Sequence, residues 1–181
     1  MNVIKTPLKD CLVFEPKIFI DDRGVFFESY QKRTLDKALG YEVNFVQNNQ
    51  SISKQGALRG LHFQVGDYAQ SKLVRVIKGE VLDVVVDVRK KSKTFGQHFK
   101  IKLSESNLKS LFIPKGMAHG FVTLSKEAIF TYQCDNYYHK EAESGIVYND
   151  VDLNIDWEYP KEELTLSAKD SILPTLKEVF E

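Results

Sequence analysis

The run Leu58–Gln64, which reads LRGLHFQ, places a cation and an ionisable imidazole three positions apart in a short apolar segment. Arg59 suits an anion, and His62 can take or give a proton near neutral pH. Gly60 lies between them, and strands avoid glycine unless another backbone approaches closely or the strand bulges. The run predicts an anion site beside a proton-transfer group. Strict alternation would place Arg59 and His62 on opposite faces, so a bulge at Gly60 is the hypothesis that brings them together.

The four histidines differ in their surroundings along the chain. His62 and His119 lie in apolar segments, and we expect both to face inward. His98 shares its face with two lysines and His139 lies in a polar segment, so we expect both at the surface. A single buried histidine is often only a hydrogen-bonded core residue. Two of them favour a site, because further polar residues lie near apolar strands: Arg59, Lys72 and Tyr132.

Alternating segments in the middle of the chain must position these side chains. In Val81–Arg89 the even-numbered residues are apolar while Asp83 and Asp87 face the other way, which is the pattern of a half-buried strand. The preceding run Leu73–Ile77 is apolar as well. Lys78–Glu80, with a central glycine, joins the two runs and predicts a hairpin.

Other parts of the chain also indicate short strands. Residues 98–103 and 128–135 alternate between apolar and polar side chains. Many short strands separated by turn residues predict a sandwich or barrel. Helix is expected in two places, at Thr34–Leu39, which Gly40 ends, and in a turn or two after Pro174.

Composition limits the function classes. The 181 residues fit one domain, spanning 1–181, and lysine plus arginine balances aspartate plus glutamate at 25 each. The chain therefore has no net charge that would attract nucleic acid or a membrane surface. Cys11 and Cys134 are far apart and are expected to be free thiols in a reducing compartment. The run Cys11–Phe14 is too short for a signal peptide or membrane span, so a soluble, cytoplasmic protein is expected.

The segment Pro114–His119 fits the P-x-G-x-x-H element of cupin β-barrels, which often bind a metal. The usual metal cupin supplies three histidines and a glutamate with an H-x-H pair, and this chain has no H-x-H. With His98 and His139 expected outside, two imidazole ligands remain. We therefore expect a barrel without a metal. A metal-dependent cupin enzyme is the alternative, and stoichiometric zinc, iron or nickel in the purified protein would support it.

Motifs along almost the whole chain resemble those of one family. Leu58–Gln64 matches L-R-G-L-H-[FY]-Q, Lys72–Arg75 matches the lysine-bearing strand that follows, and Ile113–Phe121 matches I-P-x-G-x-A-H-G-F. This combination is highly specific. The chain resembles the dTDP-4-dehydrorhamnose 3,5-epimerases, which are metal-independent, cupin-like sugar-nucleotide epimerases of the rhamnose pathway. Further family elements follow in order: Asp22–Glu28, Val46–Ser51, Tyr137–Tyr138, Glu141–Ile146, Asn149–Asp150, Asp152–Leu153 and Leu166–Asp170.

The resemblance implies an all-β, cupin-like jelly-roll barrel or sandwich with short peripheral helices, and an isomerase without a cofactor. Its substrate would be dTDP-4-dehydro-6-deoxy-glucose, whose C3 and C5 hydrogens are α to the C4 carbonyl. By motif match, His62 is the base, Tyr132 is the acid, and Asp170 is the carboxylate that orients the imidazole. Lys72 would stabilise the enolate oxygen, and His119 would contact the sugar.

The resemblance also implies a nucleotide site. Arg23 and Arg59 would contact the diphosphate, and Tyr138 would stack on thymine. The family is a homodimer in which an N-terminal strand joins the partner's sheet, so Arg23 and Glu28 would complete the neighbouring subunit's site. The remaining positions that match family contacts to nucleotide or sugar are Gln47, Asn49, Glu143 and Lys169.

Three departures from the family pattern bear on product identity. Val65–Gln70 replaces a loop that often contains prolines, which predicts more freedom beside the sugar pocket. Residues 133–136 and 147–151 also differ from the usual runs. Relatives that invert a single carbon share most motifs, so a C3 or C5 epimerase of a related sugar is an alternative. A non-catalytic sugar-nucleotide binding module is another. Three retained groups argue against that module: His62, Tyr132 and Asp170.

Overall fold

The computed structural model describes residues 1–181 and contains two short α-helices among many β-strands. The helices are α1 (Lys32–Leu39) and α2 (Leu176–Phe180). Four 3-10 turns lie at Gly66–Tyr68, Lys140–Ala142, Lys161–Glu163 and Asp170–Ile172. The strands are β1 (Asn2–Lys5), β2 (Leu12–Glu15), β3 (Ile18–Asp21), β4 (Gly24–Phe27), β5 (Gln47–Lys54), β6 (Leu58–Gln64), β7 (Lys72–Lys78), β8 (Glu80–Asp87), β9 (His98–Ser104), β10 (Ser110–Ile113), β11 (Met117–Thr123), β12 (Glu127–Cys134) and β13 (Glu143–Gly145).

The strands form two antiparallel sheets and a separate ribbon. One sheet has six strands in the order β1-β2-β10-β7-β12-β5, and the other has five in the order β13-β6-β11-β8-β9. Strands β3 and β4 pair only with each other. The all-β sandwich that the alternating segments predict is therefore confirmed.

The core lies between the two sheets. In β12, alternate residues from Ala128 to Cys134 face inward, and in β7 Val74 and Val76 do the same. Leu103 from β9 and Phe121 from β11 meet them from the five-stranded sheet. This alternation is the predicted one, and it gives each sheet an inner row of side chains from which a site can be built.

Strand β8 differs from its prediction, because it is buried on both faces. Val81 and Val85 face the core between the sheets, whereas Leu82 and Val84 face outward. That outer face is covered by the C-terminal segment, residues 146–180, through side chains such as Trp157. The half-buried interpretation was therefore wrong. Periodicity along one strand carries no information about a cover supplied by a distant part of the chain.

The predicted hairpin at Lys78–Glu80 was also wrong. Strands β7 and β8 lie in different sheets, so the turn carries the chain from one sheet to the other. Gly79 has a φ of +79°, and a Cβ there would lie 2.1 Å from the carbonyl oxygen of Glu127. Only glycine fits at this position. The sequence therefore correctly indicated a turn at Gly79, although the strands on either side of the turn do not pair with each other.

Both predicted helices are present; α1 ends at Leu39 as expected but begins at Lys32, two residues before the expected start. The side chain of Gln31 accepts a hydrogen bond from the Thr34 amide at the start of α1, and Gly40 ends it with a φ of 80°. Leu35 packs against the outer face of the six-stranded sheet. Thr175 and Glu178 form a capping box at α2. Neither helix has the length and apolar character that crossing a membrane requires.

Candidate active site

Two adjoining cavities lie between the sheets. The larger has a volume of about 480 Å³ and the smaller about 300 Å³, and they share Asn49, His62, Lys72 and Tyr132. Of the other predicted site residues, the larger cavity contains Arg59, His119, Lys169 and Asp170, and the smaller contains Gln47, Tyr138 and Glu143. The fold thus gathers groups that are spread over more than a hundred residues of sequence into one continuous space.

An irregularity in β6 brings Arg59 and His62 to the same face. His62 pairs with His119 and Arg59 pairs with Phe121, so two residues of β6 stand opposite Gly120 alone. Gly60 has a φ of +126°, and a Cβ there would lie 2.5 Å from the Cα of Gly120. The bulge hypothesis is therefore confirmed. Leu58 and Leu61 both face outward. Residues three apart on a regular strand would face opposite sides, so these two leucines show the same break in alternation.

His62 forms a hydrogen-bond contact with Asp170. The His62 Nε2 atom lies 2.7 Å from an Asp170 carboxylate oxygen, and Asp170 itself is buried at the start of a 3-10 turn. Ser167 accepts a hydrogen bond from the Asp170 amide and steadies that turn. Burial lowers the pKa of His62 below its usual range, although Asp170 opposes the shift. The ring nitrogen that does not face Asp170 is thus an available base at neutral pH.

The opposite wall of the cavity carries Tyr132 and Lys72 on neighbouring strands of the six-stranded sheet. The Lys72 ammonium lies 5.8 Å from the centre of the Tyr132 ring. Burial lowers the pKa of Lys72 and raises that of Tyr132. Cys134 lies two residues beyond Tyr132, where burial raises the pKa of its thiol to about 11. The wall therefore presents a protonated phenol beside a cation that has no ion-pair partner within the chain.

His119 has a carboxylate partner of its own. Its Nε2 atom lies 2.8 Å from Asp83, which is fully buried on β8. Asp83 was not predicted as part of the site, because alternation in a strand taken as half-buried placed it on the solvent face. A signal for it was present in the sequence, since Asp83 is an acidic residue within a valine-rich strand.

A hydrogen bond to Ser53 fixes the direction of the Arg59 guanidinium. Arg59 donates from Nε to the Ser53 hydroxyl at 3.0 Å and makes no other side-chain hydrogen bond, so both terminal nitrogens are free for an anion. The Ser51 hydroxyl lines the same cavity and is buried without a partner. Neither serine was predicted, although small polar residues alternate along β5 from Gln47. This end of the cavity suits a diphosphate.

Tyr138 and its neighbours form the rim of the smaller cavity. The Tyr138 hydroxyl donates to Glu143 at 2.8 Å, and Lys169 approaches the same carboxylate oxygen at 2.5 Å. The Tyr138 amide donates to the Gln47 side chain at 3.0 Å, and Gln47 donates to Asn49. Tyr138 is 53% exposed. A nucleobase can therefore stack on the Tyr138 ring while the Tyr138 hydroxyl keeps its hydrogen bond to Glu143.

Arg23 and Glu28 lie away from both cavities of the same chain. Arg23 is exposed at the turn of the β3–β4 ribbon and forms an ion pair with Asp21 at 2.6 Å, while Glu28 is exposed just after β4. The ribbon also exposes large apolar side chains, among them Ile20 at 78% and Phe26 at 71%. Arg23 and Glu28 therefore reach no other predicted site residue within one chain.

The surface predictions for His139 and His98 were wrong. His139 is half-buried, because its ring stacks on Tyr68 with 3.9 Å between ring centres. His98 is half-buried as well, at the edge of its sheet and outside both cavities.

Two side-chain hydrogen bonds hold the loop Val65–Gln70 beside the smaller cavity. Gln64 donates to the Tyr68 carbonyl and Asn136 donates to the Asp67 carbonyl, each at 2.8 Å.

No group of three or more histidine, cysteine, aspartate or glutamate side chains in the structure is arranged to hold a metal ion. The two inward-facing histidines are instead each paired with one carboxylate, His62 with Asp170 and His119 with Asp83. These pairs orient the rings for proton transfer or hydrogen bonding.

Comparison with known proteins gives one consistent match. Residues 5–178 match the family model described as dTDP-4-dehydrorhamnose 3,5-epimerase. A Salmonella typhimurium protein of that name is 51% identical over 181 residues, which cover 99% of this chain and 98% of the relative. The crystal structure of the Elizabethkingia anophelis protein of that name has a TM-score of 0.96 at 47% identity and covers 98% of this chain and 97% of its own.

A third relative was solved with a sugar nucleotide. The Legionella pneumophila dTDP-6-deoxy-D-glucose-3,5-epimerase, in complex with dTDP-4-keto-L-rhamnose, has a TM-score of 0.92 at 46% identity. It covers 97% of this chain and 93% of its own. The expected cupin-like all-β fold is confirmed by these similarities.

Proposed function

The chain belongs to the dTDP-4-dehydrorhamnose 3,5-epimerase family, and we propose that the cavities between its sheets bind dTDP-4-dehydro-6-deoxy-glucose and invert C3 and C5. The product is dTDP-4-dehydro-rhamnose, an intermediate of dTDP-rhamnose biosynthesis. One observation carries the proposal. His62 and Tyr132 line one cavity from different sheets, which is the arrangement that inversion of a carbon requires.

Inversion begins with removal of a proton next to the ketone. His62 takes the C3 or C5 hydrogen as a proton, and the electron pair moves into an enolate with its charge on the C4 oxygen. Tyr132 gives its hydroxyl proton to the same carbon from the opposite side. Afterwards the imidazolium loses its proton to solvent and the phenolate regains one, so the enzyme returns to its starting state. Each inverted carbon thereby acquires a hydrogen that came from solvent.

Charge stabilisation must accompany proton transfer, because an acid or base group contributes only on the order of 10²–10⁴-fold. Lys72 has no carboxylate within salt-bridge distance and lies on the same wall as Tyr132, so its ammonium is free to stabilise the enolate oxygen. His119 lies opposite His62 and is placed to contact the sugar.

The nucleotide is held by groups at the rim. Arg59, with its Nε bound to Ser53, directs its terminal nitrogens at the diphosphate. Tyr138 stacks on thymine, with its hydroxyl held by Glu143. The remaining substrate contacts in this proposal are Gln47, Asn49 and Lys169.

An NMR time course in deuterated water with dTDP-4-dehydro-6-deoxy-glucose tests the proposal. We expect deuterium at both C3 and C5 and the appearance of the rhamno product, at a rate unchanged by prior dialysis against a chelator. Inversion at one carbon would favour a single-carbon epimerase of a related sugar. Binding without exchange would favour a sugar-nucleotide binding module, and loss of the rate on chelation would favour a metal-dependent enzyme.

Replacing Asp170 with asparagine should change the pH dependence as well as the rate. Burial lowers the pKa of His62 and Asp170 opposes that shift, so Asp170→Asn lowers the pKa further. The acidic limb of the kcat/KM profile should move to lower pH. The kcat should fall on the order of 10²–10⁴-fold, because the imidazole loses its orienting partner.

Asp150→Asn is the matched control for this variant. Asp150 is also buried in the C-terminal segment, where it accepts backbone hydrogen bonds from Leu153 and Leu176 outside the cavities. Its substitution should lower stability while leaving the pH profile of the folded enzyme unchanged. An acidic limb that moves to higher pH in Asp170→Asn would contradict the assigned pair.

We also propose a homodimer in which the β3–β4 ribbon of one subunit joins the other. The ribbon pairs with no sheet in its own chain and exposes apolar side chains that a partner would cover. Arg23 and Glu28 would then complete the nucleotide site of the partner subunit. We propose a cytoplasmic location for this dimer, in keeping with two buried cysteines that remain free thiols.

Mixed dimers should reveal which subunit supplies Arg23. Arg23→Ala and His62→Gln homodimers should each be nearly inactive. A heterodimer of the two, isolated after co-expression with different tags, contains one site with both native residues if Arg23 crosses the interface. Its activity should return to about half of the wild-type value, because one of its two equivalent sites is complete. Recovery should be absent if Arg23 serves its own chain.

A further inference from the structure

Asp83 is a fully buried carboxylate in the middle of β8. Its Oδ2 atom lies 2.8 Å from His119 Nε2, while its Oδ1 atom has no hydrogen-bond partner. A buried carboxylate with an unfilled acceptor is costly. Val81 and Val85 share its face, so a valine in its place would continue the packing. Stability alone therefore does not account for an aspartate at this position.

We propose that Asp83 is a positioning residue that holds the His119 ring in a fixed orientation at the sugar site. This inference rests on the proposed epimerase function and adds a second histidine–carboxylate pair to it. His119 and His62 are direct neighbours across β11 and β6, so the two pairs stand side by side on one wall.

Two contacts fix the His119 ring. The first is the hydrogen bond to Asp83, which accepts from the Nε2 proton and leaves the other ring nitrogen for the substrate. The second is Phe130 of the facing sheet, whose ring lies 6.0 Å away at an interplanar angle of 24°. The stack sets the plane of the imidazole, and Asp83 determines which nitrogen carries the proton.

Asp83→Asn and Asp83→Val separate the hydrogen bond of Asp83 from its charge. Asparagine removes the charge but keeps a hydrogen-bond acceptor, whereas valine removes both and suits the strand. We expect kcat to fall by about 10- to 100-fold, with the larger loss in Asp83→Val, because small displacements of a catalytic group carry losses of that order.

Histidine side-chain NMR provides a readout that does not depend on activity. With four histidines in the chain, nitrogen-15 spectra can be assigned by substituting His119. Wild type should show the His119 proton on Nε2, and Asp83→Val should show a mixture of tautomers. If the wild type is inactive, the proposed function fails, while the tautomer shift still tests the role of Asp83.

Asp87→Asn is the matched control, because Asp87 is another fully buried aspartate on the same strand and its partners Arg89, Ser92 and Thr94 lie outside the cavities. It should lower the melting temperature without changing the His119 signals. Wild-type kcat and a wild-type His119 tautomer in both Asp83 variants would overturn the proposal. A fall in kcat equal to that of Asp87→Asn, with no change in the His119 signals, would also overturn it and leave Asp83 a structural residue.

Discussion

His62→Gln should abolish deuterium uptake at both C3 and C5 of the keto sugar. Both exchanges begin with proton removal by the same imidazole, so neither carbon can proceed without it. The loss should be on the order of 10⁴-fold, at the upper end of what a general base contributes. Binding of dTDP should change little, because the role proposed for His62 is at the sugar rather than at the nucleotide. The measurement is the rate of carbon-bound deuterium uptake by NMR, together with the dissociation constant of dTDP.

His98→Gln provides the control for this substitution. His98 is a half-buried histidine at the start of β9, at the edge of the five-stranded sheet, and it lines neither cavity. The His98→Gln variant should exchange deuterium at both C3 and C5 at the wild-type rate. Exchange in His62→Gln at a rate close to wild type would show that another group removes the proton.

Tyr132→Phe should lower the rate of inversion more than the rate of deuterium exchange into the substrate. His62 and Lys72 remain, so the enolate still forms and the base can return a proton to the original face. Inverted product should fall on the order of 10²-fold or more, the contribution of a general acid, while exchange into unreacted substrate falls much less. The ratio of deuterium in recovered substrate to deuterium in product, followed over time, measures the difference.

Tyr30→Phe controls for the loss of a phenol hydroxyl elsewhere. The Tyr30 ring packs edge-on against Phe45, 5.5 Å away between ring centres, and lies outside both cavities. That variant should leave both rates unchanged. An equal fall of exchange and inversion in Tyr132→Phe would assign the tyrosine to binding or geometry instead of protonation.

Local patterns in the sequence were enough to predict several strands, among them β9 and β12, and the alternating rows of side chains along these two strands. The alternation in β12 correctly placed Tyr132 facing inward, and Gly40 correctly marked the end of α1. The same reasoning failed for β8, because its outer cover comes from the C-terminal segment. It also failed at Gly79, since a glycine turn suits a hairpin and a crossing between sheets equally well.

The candidate site was predictable as a set of residues, mainly through family resemblance, but its geometry was not. Alternation alone separates Arg59 from His62, and only the extra residue in β6 unites them. Asp83 was missed because the sequence does not show which face of β8 points into the space between the sheets. For Arg23 and Glu28, no local pattern predicts their position away from both cavities of their own chain.

The C-terminal segment links catalytic competence to local opening of the native state. It covers the outer face of the five-stranded sheet, and it also carries Asp170 to His62 and Lys169 to Glu143. Proteins open in cooperative units at free energies below that of global unfolding. Detachment of this one unit would uncover apolar surface and withdraw the carboxylate partner of the base in a single event. We therefore expect the loss of activity in denaturant to follow hydrogen exchange of the C-terminal segment and to precede unfolding of the sheets.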